Sequence, residues 1–101
     1  MTRVVVSPEA RSDLLQIVTH LGAVAGPAMV DKWDRKLWSA IDDLTEFPGS
    51  GAPRPILGQY VRIAIVHPYI VLYEHMRGSD LVQILRVVHG RRKITKDLLG
   101  S

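Results

Sequence analysis

The 101 residues are 47% hydrophobic and 23% charged, too apolar for a disordered chain and sized for a single globular domain, 1–101. Cysteine is absent, which excludes disulfides and thiolate metal sites and fits a reducing compartment. The net charge of +3 is unevenly spread: residues 1–50 hold five Lys/Arg against seven Asp/Glu, and residues 51–101 hold eight against three. Such asymmetry predicts two faces with different partners.

No uninterrupted apolar run approaches the ~20 residues of a membrane-spanning helix. The opening MTRVVVSPEA lacks the apolar core of a signal peptide. A cytoplasmic protein without membrane contact is expected.

Arg3 to Val6 is a short β-branched run and a first strand. Ser7-Pro8-Glu9 then starts a helix: the serine can cap a first-turn amide, proline suits the first helical position, and glutamate favours the positive end of the dipole. Ala10, Leu14, Ile17, Val18 and Leu21 form its apolar stripe, which ends in Gly22 to Gly26. Pro27 opens a second helix with Val30, Trp33, Leu37, Ala40 or Ile41, and Leu44 on one side, stopped by Pro48 and Gly49. Trp38 lies off that stripe, either widening the buried side or serving as an exposed anchor; Met29 is similarly placed.

GSGAPRPILG, residues 49–58, is loop by composition. Tyr60 to Val66 and Tyr69 to His75 read as strands joined by His67-Pro68. Leu81 to His89 is a third, almost wholly Val, Ile and Leu except for Gln83 and Arg86. A basic tail follows from about residue 90, with Arg91, Arg92, Lys93 and Lys96. The order β-α-α-β-β-β predicts an α+β fold, an antiparallel sheet covered on one face by a helical hairpin.

The four histidines have no ligand spacing, and the Gly-rich loop lacks a phosphate-loop lysine, so neither a metal site nor a cofactor is expected. Arg62 and Arg86 stand mid-strand and should project from the sheet face opposite the helices, beside Glu74. They form either a structural Arg–Glu arrangement or, with His89 and Arg91, a cationic pocket. The tail has too few cations and interleaved aromatics for a nucleic-acid footprint, and no direct DNA binding is expected.

Several segments together resemble the RelE/ParE toxin superfamily. They are Ser7-Pro8-Glu9-Ala10 with Asp13-Leu14, Pro48-Gly49, Tyr60-Val61-Arg62, Pro68 to Tyr73, and Ile84 to Arg92, in order over about residues 3 to 94. The later segments are closest to the ParE side. The resemblance implies the toxin of a bacterial type II toxin–antitoxin system, held inactive in a hetero-oligomer by a ParD-like antitoxin. ParE-type members are DNA gyrase inhibitors that block replication; RelE-type members are ribosome-dependent mRNA endoribonucleases. Gyrase inhibition, causing growth arrest without catalysis, is the expected function. The target contact is then expected at Arg86, His89, Arg91, Arg92 and Lys93, and the antitoxin contact at Met29, Trp33 and Trp38. In the endoribonuclease alternative Arg62, Arg86 and His89 would be catalytic.

Overall fold

The computed structural model describes residues 2–100. Strand β1 (Arg3–Val6) leads into helix α1 (Pro8–Ala25), and α2 (Pro27–Asp43) returns antiparallel to it. Ser7 caps α1, its Oγ accepting from the Ala10 N–H at 3.0 Å. Gly26, at φ 89°, turns the chain between the helices in a conformation that a side chain would disfavour.

The remaining strands are β2 (Ala52–Pro53), β3 (Val61–Val66), β4 (Tyr69–Glu74) and β5 (Leu81–His89), followed by a 3-10 turn at Lys96–Leu99. The sheet order is β1-β5-β4-β3-β2. The three expected strands form the antiparallel meander, and the helical hairpin covers one face. The sheet as a whole is mixed, because β1 adds parallel to β5. That arrangement follows from the hairpin: two helices carry the chain across the sheet before the meander begins, so the first strand joins the last one. Within the predicted loop, Ala52 and Pro53 pair briefly with Ile63 and Arg62.

Two apolar clusters lie on either side of the sheet. Under the helices, Leu14, Leu37, Ile41 and Leu44 meet Val71, Tyr73, Val82, Ile84 and Val87. On the other face, Val61, Ile63, Leu72 and Val88 are covered by Leu57 and by Leu98 of the 3-10 turn. The chain after residue 93 is therefore packed structure rather than a continuation of the solvated tail. Its leucine removes apolar sheet surface from water, a favourable term proportional to the area covered.

Candidate functional site

The carboxyl end of β5 gathers most of the chemically active side chains, and the first of its devices is a lock. β1 stops at Val6, paired with Ile84, so the outer edge of β5 beyond that point needs other partners. Ser7 supplies the next two, its N–H donating to the Ile84 carbonyl (3.0 Å) and its hydroxyl to the Leu85 carbonyl (2.9 Å). Asp13 of α1 continues the series: its Oδ2 accepts from the Val87 N–H at 2.9 Å. The same carboxylate accepts from Arg86 Nε at 2.7 Å and Nη2 at 2.9 Å. Arg86 Nη1 donates across the edge to the Leu98 carbonyl, 2.9 Å away. The Arg86 guanidinium is thus consumed by internal acceptors, and its pKa is raised, chiefly by the hydrogen bond to Asp13.

A register shift makes this geometry. Leu72 pairs with Arg86 but Tyr73 with Ile84, leaving Leu85 as an extra residue in β5. The bulge re-aims Arg86 towards the sheet edge, where it reaches both the helix layer and the 3-10 turn. Strand alternation alone cannot anticipate that direction.

Arg62 is elsewhere. On β3, Val61 and Ile63 belong to the cluster away from the helices and Ala64 and Val66 to the cluster beneath them, so Arg62 shares the helix-side parity. Its Nη1 donates to the carbonyls of Gly49 (3.1 Å) and Gly51 (2.7 Å). Glu74 alternates with Tyr73, which lies under the helices, and so faces the opposite way. The expected grouping of Arg62, Arg86 and Glu74 on one outer face is corrected: Arg62 clamps a loop, and Arg86 pairs with Asp13. Nor do Arg62, Arg86 and His89 converge. Arg62 pairs with Tyr73 and Tyr69 with His89, so four residues of β4, roughly 13 Å of strand, and two strand spacings separate Arg62 from His89.

His89 closes the strand. The Arg91 N–H donates to its Nδ1 at 3.0 Å, which leaves the ring proton on Nε2. Its ring meets Tyr69 edge-on at 5.7 Å, and Tyr69 in turn meets Trp33 at 5.3 Å. Burial raises the Tyr69 pKa, so the phenol stays protonated across the neutral range. Beside this stack lies a hollow of about 280 Å³, with Ile17 and Val87 among its apolar walls and Gln16, His20, His89 and Arg92 among its polar ones. A second hollow adjoins it at Glu9, Ser12, Arg86 and Arg92. Arg91, Arg92 and Lys93 are exposed. Of the expected target-contact residues, Arg86, His89, Arg91 and Arg92 therefore do cluster, with Arg86 already engaged.

The expected antitoxin-contact residues lie on α2. Met29 and Trp33, one helical turn apart, share a stripe, and Lys36 Nζ sits 4.7 Å above the Trp33 ring. Trp38 lies on a different side of the helix and packs half-buried against the core. Sequence reasoning missed Asp13 and Tyr69. Asp13 had a signal: an acid set among Ala10, Leu14 and Ile17 interrupts an apolar stripe, and such an acid requires a partner. Tyr69 had none, since any strand tyrosine reads as core.

The model of the ParE toxin family, described as "ParE toxin of type II toxin-antitoxin system, parDE", matches residues 4–94. A solved structure titled "Chromosomal ParDE TA system from P. aeruginosa" shares the fold, with a TM-score of 0.74 at 23% identity, covering 88% of this chain and 96% of that one. The comparison with curated proteins finds no match. On the family match, which spans most of its length, the chain belongs to the ParE toxins of type II toxin–antitoxin systems.

Proposed function

We infer that this toxin acts by binding DNA gyrase and blocking replication, with no bond-breaking chemistry of its own, and that a ParD-like antitoxin silences it. The gyrase target comes from the ParE resemblance, and one structural observation supports the non-catalytic part. Arg86 spends all three guanidinium nitrogens on internal acceptors, and Arg62, its Nη1 held by loop carbonyls, lies on a different strand well away from His89. Phosphodiester cleavage requires a base, an acid and charge stabilisation within reach of one phosphate. What projects into solvent instead is fixed positive charge at Arg91, Arg92 and Lys93, suited to steering and gripping another macromolecule. Met29, Trp33 and Trp38 supply large side chains along α2 for the antitoxin. Such a target places the toxin's action in the cytoplasm.

A supercoiling assay with purified toxin tests this directly. Micromolar toxin should inhibit gyrase and accumulate cleaved DNA. Unchanged supercoiling, together with toxin-dependent mRNA cuts on translating ribosomes, would transfer the protein to the endoribonuclease class.

A further inference from the structure

The hollow between α1 and the end of β5 has the chemistry of a receptor for one negative charge. Tyr69 is only 7% exposed. Its ring lies on the helix side against Trp33, the side on which this hollow opens. Its hydroxyl takes no hydrogen-bond partner among the described residues, while no fully buried polar side-chain atom is left unpartnered, so that oxygen must reach solvent. His89 presents Nε2–H, because its other nitrogen is occupied by the Arg91 amide. Arg92 borders the same space and makes no ion pair among the described residues. Asp13, the carboxylate on its wall, is already neutralised by Arg86 and the Val87 amide. Donors therefore face an apolar floor with no free acceptor charge to match them.

We propose that this hollow receives a single carboxylate side chain of the antitoxin, held by the Tyr69 hydroxyl, His89 Nε2–H and the Arg92 guanidinium, with a neighbouring aliphatic group on Ile17 and Val87. The proposal rests on the toxin–antitoxin reading for its partner and is independent of the gyrase reading. A lone carboxylate fits better than an extended polyanion, since the adjoining hollow carries the Glu9 carboxylate and its Arg86 is already spent on Asp13. A small hollow with several donors over an apolar floor suits the partner that must hold on longest. Charge-assisted hydrogen bonds made there act mainly on the dissociation rate, whereas exposed cations act on encounter. A tyrosine hydroxyl is a donor at neutral pH in any case, and burial pushes Tyr69 further in that direction.

The test is a double-mutant cycle on the toxin–antitoxin complex. Each Asp and Glu of the antitoxin is changed to Asn or Gln and titrated against wild-type toxin and against Tyr69→Phe. That variant keeps the ring and its packing, and loses a hydroxyl with no internal partner. Tyr69→Phe should weaken the complex about tenfold. One antitoxin carboxylate should account for the loss: its neutralisation should weaken binding to wild-type toxin by a similar factor and binding to Tyr69→Phe hardly at all. Equal affinity of the two toxins, or the absence of any coupled carboxylate, overturns the inference. Tyr69→Phe that binds antitoxin normally but loses gyrase inhibition assigns the hollow to the target and also overturns it. Failure of the wild-type toxin to inhibit gyrase, with the coupled carboxylate found, overturns only the target.

Discussion

Asp13 and Arg86, 73 positions apart in sequence, meet through paired hydrogen bonds of 2.7 and 2.9 Å at the edge where β1 ends and β5 runs on. Three donors converge on that carboxylate, and the arginine carries the connection onward to the Leu98 carbonyl. Helix, sheet and carboxyl-terminal turn are joined at this one place. Asp13→Ala leaves the Arg86 charge and the Val87 amide without their acceptor. A loss of about 3 kcal/mol is expected, seen in urea unfolding as a lower midpoint at unchanged slope. Asp13→Asn, which keeps an oxygen for the amide, should lose less.

The loop after α2 is held by a second device. The Tyr73 hydroxyl, fully buried, donates to the Pro48 carbonyl (2.9 Å) and accepts from the Gly51 N–H (2.8 Å). Tyr73→Phe should cost about 1–3 kcal/mol through the orphaned amide and carbonyl. Gly51→Ala should be worse, since a Cβ there would lie 2.5 Å from both the Ile63 carbonyl oxygen and the Tyr73 hydroxyl. Thermal unfolding followed by circular dichroism ranks the two.

Leu98, 8% exposed, roofs the outer apolar cluster. Leu98→Ala should destabilise by about 2–3 kcal/mol. Binding of a hydrophobic dye should rise as Val61, Leu72 and Val88 lose part of their cover. A tail that contributed nothing to folding would leave both signals unchanged.

Alkaline conditions should single out Tyr69. Burial raises its folded pKa above the ordinary tyrosine value of about 10. In the unfolded chain the phenol ionises near its ordinary value, while in the native state it does not. The folded state therefore binds more protons above that point, and stability is full below pH 10 and falls as pH rises further. Tyr69→Phe should flatten this decline above about pH 10, which melting curves from neutral to alkaline pH would reveal.

On the proposed gyrase contact, the exposed cations should separate binding from stability. Replacing Arg91 and Lys93 by glutamine should leave the melting temperature within a degree or two, because surface changes of this kind fall within about 0.5 kcal/mol. Gyrase inhibition should weaken several-fold, and its dependence on salt should become shallower. Undiminished inhibition at low salt would remove these two residues from the contact.

Local pattern was enough for the helical hairpin, the meander and their order. The Ser7 cap, the Pro27 start and the strand alternation are written in residues a few positions apart, and the physics that reads them is equally short-ranged. The lone positions proved harder. Alternation from Val82 and Ile84 would put Arg86 under the helices, but one extra residue, Leu85, shifts it to pair with Leu72 at the sheet edge. A bulge depends on how two strands pair rather than on either strand alone. Arg62 was placed on the wrong face because nothing in its own strand says which parity meets the helices. Tyr69 acquired its free hydroxyl and its neighbours Trp33 and His89 only when α2, β4 and β5 packed together. The sequence by itself determined which segments fold and that the last half of the chain is basic. Tertiary packing decided which charges are used up inside and which remain for a partner, because that depends on distances between residues that the chain keeps far apart.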